Sequence, residues 1–292
     1  MSEPQSERVG DTSAPDSDDV IATAARAYEI DRYLSALLAP RHIRDDLIAL
    51  AAFAGDVARI PVMVSEPMIG EIRLQWWRDA ITTGRAGIES GNPIADRFSA
   101  AVRRHDLPPQ LVERVIDLQS VALHGDPIAD DMALKSHVAG IDGTLFQLAA
   151  RMVDGEAGAL AQDWIDRAGV AYGLARTAVE FSAVLAQGRT FAPVALLESC
   201  GTSLARLLDG DEVGAQRVLG GLCNLAEVAH ESAGQQLRQQ ARSVRIACLP
   251  IAMVVSYCAR ARQVGGDVLR RPIEVAPLVR VWRLWRYRYG MI

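Results

Sequence analysis

Carboxylates spaced along a helix can hold a divalent cation, and Asp126-Pro127-Ile128-Ala129-Asp130-Asp131 superficially resembles an aspartate-rich motif. Pro127 and the apolar stretch that follows favour a turn in which Asp130 or Asp131 caps the next helix, rather than a metal site. Asp163 and Asp166 read as a solvated helix edge. His42, His105, His124, His137 and His230 lack metal-ligand spacing, and Cys200, Cys223, Cys248 and Cys258 contain no CxxC pair. No Ser-His-Asp arrangement and no glycine-rich phosphate loop stands out. Positive charge is almost all arginine, since Lys135 is the only lysine. A guanidinium keeps its charge and grips phosphate or carboxylate through two parallel bonds. A compositional bias of the genome accounts for the preference equally well.

The chain that must position these groups has 292 residues, 50% hydrophobic and 23% charged, enough for a sizeable core. Aromatics are few, and abundant Ala and Leu favour helices. A net charge of -5 argues against general nucleic-acid binding. The cysteines read as reduced, mostly buried thiols, and with no signal peptide in view the expected location is cytoplasmic. Residues 1–19, rich in Ser, Pro, Glu and Asp, are expected to form a disordered acidic tail before a single domain over 20–292. No stretch reaches the ~18 uninterrupted apolar residues of a membrane span. Ile246 to Cys258 comes nearest, and Pro250 interrupts it.

Helical punctuation runs throughout. Asp19 is placed to cap a first helix running to about Leu38, before Pro40. In the next, Ile43, Leu47, Leu50, Ala51, Ala54, Val57 and Ala58 share one face, and Pro61 ends or kinks it. Ser65 caps a third, with Glu66 and Pro67 in its first turn, that carries Ile72, Leu74, Trp76, Trp77 and Ile81. Further helices are expected over 95–104, 109–123, 131–153, 160–185, 211–238, 241–262 and 277–289. Gly140 and Gly143 each cost up to ~1 kcal/mol inside a helix, which implies a kink or close packing there. With no strand pattern, repeat or linker, one all-α domain is the simplest architecture.

Five blocks in order resemble the squalene/phytoene synthase family. Asp31-Arg32-Tyr33-Leu34-Ser35-Ala36-Leu37-Leu38-Ala39-Pro40 is similar to its opening Ser-Phe-Tyr run, with Asp31-Arg32 in place of Ser-Phe. Leu50 to Phe53 resembles Leu-Tyr-Ala-Phe, and Trp77-Arg78 matches a Trp-Arg pair. Val138-Ala139-Gly140-Ile141-Asp142-Gly143 resembles Val-Ala-Gly-Thr-Val-Gly, and Gly188-Arg189-Thr190-Phe191-Ala192-Pro193 resembles Gly-Arg-x-Tyr-Leu-Pro. The resemblance implies a single-domain isoprenoid-synthase-like helical bundle around a central apolar cavity. Two aspartate-rich patches at the cavity mouth would hold magnesium against a prenyl diphosphate.

Those patches are degraded. The first reads Ala58, Arg59 and Val62, with Asp56 out of register, and the second reads Glu180 and Val184. Magnesium needs several oxygen ligands, and an arginine has no lone pair to offer. No metal site or cofactor is therefore expected, and Asp56 and Glu180 are the only remnant catalytic candidates. Arg32, Tyr33, Arg59, Arg78 and Arg189 are the candidates for a phosphate or other ligand. Ser65 to Arg78, including Glu66, Pro67, Glu71, Arg73, Trp76 and Trp77, resembles a degenerate branch of the family. That branch resembles the assembly factor of respiratory complex I, NADH:ubiquinone oxidoreductase. Glu71, Arg73 and Arg78 either line the cavity mouth or pair at the surface, and Trp76 and Trp77 cannot share one face.

In the last helix Leu278, Val281, Trp282, Trp285 and Tyr289 form a stripe beside Arg280, Arg283, Arg286 and Arg288. It either lies on an anionic bilayer, making the protein peripheral at the inner face of a membrane, or closes the core with its arginines solvated. Two readings of function stay open. One is a non-catalytic member acting in complex I assembly, with complex I subunits as partners or with a prenyl or quinone-like lipid in its cavity. The other is an active transferase that condenses two prenyl diphosphates, with magnesium held by Asp56 and Glu180.

Overall fold

A computed structural model describes residues 17–64 and 66–290. Residues 1–16 of the expected tail and the Ser65 cap fall outside them. Residues 17–19 do not belong to a tail, because they open the first helix. Among the described residues every regular element is helical, in agreement with the all-α expectation. Sixteen α-helices are seen there. The N-terminal part holds α1 (Ser17–Tyr28), α2 (Ile30–Leu37), α3 (Arg41–Met63), α4 (Pro67–Arg85), α5 (Pro93–Arg104) and α6 (Pro109–His124). The middle holds α7 (Asp131–Val138), α8 (Thr144–Val153), α9 (Gly155–Leu160), α10 (Gln162–Leu185), α11 (Val194–Ser199) and α12 (Leu204–Leu208). The end holds α13 (Glu212–Leu237), α14 (Arg242–Ala247), α15 (Val254–Val264) and α16 (Pro277–Arg288).

The breaks have local causes. The expected first helix is two, parted at Glu29, whose backbone leaves the helical region. Pro61 neither ends nor interrupts α3, which continues to Met63. Pro250 does break the run over 241–262, into α14, a 3-10 turn at Leu249–Met253 and α15. Asp130 and Asp211 are N-caps, accepting from the amides of Ala133 at 2.8 Å and Gly214 at 2.9 Å.

The two glycines expected to disturb the 131–153 helix sit in a π-helical turn, Ala139–Gly143, between α7 and α8. Such turns add a residue to the helical circuit and rotate a side chain out of the regular face. Against this turn lies α10, and a Cβ at Gly169 would fall 2.3 Å from Gly143 Cα. Only glycine permits that approach.

Packing then fixes the frame. From Ala49 to Gly55, α3 is buried on every side, the mark of a central helix. Phe53 stacks on Phe98 of α5, centroids 4.2 Å apart, and meets the edge of Trp77 of α4 at 5.2 Å. Each such fully buried ring contributes about 1.5–3 kcal/mol. α10 runs along α13 on the other side of the bundle.

Candidate functional site

The faces of α3 and α10 that look into the bundle determine what it can bind. Ala54 and Ala58, one turn apart on α3, face a central cavity with about 650 Å³ of empty space, part of it open to solvent. Val62, the next turn, lines an adjoining recess with Arg189. Opposite, α10 contributes Arg176, Thr177 and Glu180, while Val115 of α6, Ile141 and Phe191 supply apolar wall. Of the three positions at which the family resemblance places carboxylates on α3, Ala58 faces the cavity, Val62 faces the adjoining recess, and Arg59 turns to a separate crevice.

Asp56 takes no part. It lies on another side of α3, in a crevice with Arg73 and Trp76, and accepts from Arg59 at 2.6 Å. The Arg59 guanidinium also stacks 3.8 Å from the Tyr28 ring centre. The expected pairing of Asp56 with Glu180 is corrected accordingly, because the two side chains open on different spaces. Val184, one turn beyond Glu180, is half-buried.

Charged groups at the inner end of the cavity are already paired. Arg176 bonds Glu180 at 2.7 Å, Glu29 at 2.9 Å and Asp142, more loosely, at 3.4 Å. Arg32 bonds Asp142 at 2.5 Å and Glu29 at 3.2 Å, and its guanidinium lies 4.8 Å from the Phe146 ring centre. Burial opposes the charge of Arg176, but Glu180, Glu29 and Asp142 outweigh it and hold the group protonated more firmly than usual. Formally, three carboxylates face two guanidiniums. A diphosphate would meet excess negative charge, and each of the three carboxylates already holds an arginine. Among the described residues no three His, Cys, Asp or Glu side chains are gathered as a metal site requires. The residues present do not fit a magnesium–diphosphate centre.

A second buried cluster abuts the first. Asp31 accepts from Tyr172 at 3.0 Å, from Tyr257, and from Arg280 at 2.5 Å, which ties α2, α10, α15 and α16 together. Burial, with Asp31 beside each, pushes both phenols well above their ordinary range, so they serve as donors.

The remaining candidates are dispersed. Tyr33 is half-buried against the core. Arg189 donates to the carbonyl of Ala122, and Arg78 pairs with Asp117 at 2.8 Å near the surface. Glu71 accepts from Ser120 of α6. Glu66 precedes α4 without a side-chain cap and Pro67 is its first residue. Trp77 is buried and Trp76 is 40% exposed, alongside Met68, Ile69 and Ile72. Sequence reasoning missed Glu29, Arg176 and Tyr172. The i, i+4 spacing of Arg176 and Glu180 was the one available signal.

The squalene/phytoene synthase family profile matches residues 25–282. Assembly factor 6 of NADH dehydrogenase (ubiquinone) complex I from Bos taurus is 28% identical over 123 residues, 42% of this chain and 37% of the relative. Its counterpart from Rattus norvegicus is 32% identical over 122 residues, 42% and 35% of the two chains. The match thus spans little more than a third of those relatives. Among solved structures, squalene synthase HpnC from Alicyclobacillus acidocaldarius superposes with a TM-score of 0.68 at 18% identity, over 85% of this chain and 94% of that one. A dehydrosqualene synthase in complex with ligand gives 0.75 at 12% identity, over 94% and 96%. The structural likeness is one of fold, the all-α bundle of isoprenoid synthases.

Proposed function

The chain belongs to the squalene/phytoene synthase family, and from that premise we propose that it is a member without prenyl-transfer chemistry that serves the assembly of respiratory complex I. One observation carries the first half: the first patch on α3 reads Ala58, Arg59 and Val62, and the carboxylates that do reach the cavity are tied to Arg32 and Arg176. Ionisation of a prenyl diphosphate needs divalent charge to receive the leaving pyrophosphate. The assembly role is supported by the complex I assembly factor relatives, which share over two-fifths of this chain. Its expected partners are complex I subunits. The apolar wall around Ala54, Ala58 and Phe191 suits a prenyl or quinone-like chain.

Two measurements test the proposal. The purified protein with farnesyl or geranylgeranyl diphosphate and magnesium is expected to release no pyrophosphate. Turnover lost on Glu180→Ala would establish head-to-head prenyl transfer instead. Deleting the gene is expected to lower complex I activity and leave squalene and carotenoids unchanged, and the reverse pattern would refute the assembly role.

A further inference from the structure

The C-terminal helix α16 divides its residues unexpectedly. Arg280 turns inward to Asp31, and Leu284 is fully buried, so the helix is fastened to the bundle along one side. Its other side is bare: Leu278 is 84% exposed, Trp282 56% and Tyr289 58%, with Val281 and Trp285 also exposed. Trp282 and Trp285 stack on each other, centroids 5.6 Å apart, which forms an aromatic ridge.

Beside this ridge like charges collect. Burial, with Arg242 and Arg245 of α14 nearby, lowers the pKa of Arg288. Among the described residues Arg242, Arg245, Arg283 and Arg288 have no carboxylate within 4 Å. Arg245 Nε and Arg288 Nη1 are buried donors without an acceptor. In a chain of net charge -5, such a concentration of unmatched arginine costs free energy unless an anion covers it. Arginine beside exposed Trp and Tyr matches the headgroup zone of a bilayer, where phosphate meets the guanidinium and the rings enter the acyl boundary. Among the described residues no helix is long and apolar enough to cross a membrane, so attachment there would be peripheral.

We infer that α16 and α14 together form a docking surface for a bilayer of anionic phospholipid, with Arg242, Arg245 and Arg283 on the headgroups and Trp282 and Trp285 in the interface. The inference is independent of the assembly role. In flotation assays the full chain is expected to bind phosphatidylcholine vesicles containing about 30 mol% phosphatidylglycerol far better than phosphatidylcholine alone. Replacing three of the exposed or half-exposed arginines (R242Q/R245Q/R283Q) is expected to cut the partition coefficient by on the order of a hundredfold. The fold should persist, because none of the three makes an ion pair. Trp282→Ser with Trp285→Ser is expected to weaken binding and abolish the blue shift of tryptophan emission on mixing. Equal binding to both vesicle types, unchanged binding by the arginine variant, or no binding by the wild type (the result if the patch serves an acidic protein instead) would each overturn it.

Discussion

Arg176, partly buried, meets Glu29, Asp142 and Glu180, so its removal leaves two buried carboxylates to share the Arg32 guanidinium. Breaking one side of such a cluster costs about 3–5 kcal/mol. Arg176→Met should lose that much in urea denaturation, and adding Glu29→Gln to it should recover part. If Arg176→Met instead proves neutral, the cluster is not the stabilising feature described here. A different buried acid sets the acid limit. Burial raises the pKa of Asp46, but hydrogen bonds from Arg104 and His105 lower it further, so the net shift is downward. A carboxylate with a lowered folded pKa stabilises above the ordinary carboxylate range, and the contribution fades as pH falls through the folded value. Asp46→Asn should therefore destabilise by roughly 1–3 kcal/mol at neutral pH, with the gap to wild type closing below about pH 4. A gap independent of pH would point to packing rather than charge. Glu29 and Arg176 were illegible beforehand because they stand 147 positions apart, and charge pairing between distant helices leaves no periodic trace.

Helices were legible where their signals are local. A cap at Asp130 or Asp131 was legible and Asp130 fills it, and Gly140 and Gly143 marked the disturbed turn. What could not be read was rotation about the helix axis. Asp56 sits two residues from Ala58, yet that offset carries it to a different crevice, and Arg280 turns from the expected basic stripe into the core. The branch-specific segment on α4 makes the same point. Its buried side holds Leu74 and Trp77, whereas Met68, Ile72 and Trp76 stand out in solvent. Under the proposed assembly role, these exposed apolar side chains on one helix are the partner surface. Met68→Ser, Ile72→Ser and Trp76→Ser together should shift stability by only about 1 kcal/mol and still fail to restore complex I activity to a deletion strain. Full restoration would remove α4 from the proposed role. Gly169→Ala tests the opposite kind of position. With a Cβ 2.3 Å from the Gly143 backbone, it should cost about 1–3 kcal/mol or more.

At the scale of the molecule, the bundle has the all-α fold of isoprenoid synthases, and the proposed function turns on Ala58, Val62 and Val184 standing where the family resemblance places aspartates. If that is the true difference, the missing site should return when oxygen ligands are put back. Ala58 in the cavity and Val62 in the adjoining recess already stand one turn apart on α3, and Val184 stands one turn from Glu180. The variant Ala58→Asp, Val62→Asp, Val184→Asp places a carboxylate at i and i+4 on both helices, the spacing that shares one cation. A ligand that binds only the folded state stabilises it by about 2.7 kcal/mol at a hundred times its Kd, or several degrees in Tm for a chain of this size. Magnesium with inorganic pyrophosphate should therefore raise the melting temperature of the triple variant and leave the wild type unmoved. The comparison does not depend on turnover, so it separates a lost metal site from a lost substrate. A rise of several degrees in the wild type would mean that the cavity recruits ligands other than those at positions 58, 62, 180 and 184, and the electrostatic argument for a non-catalytic protein would fail with it.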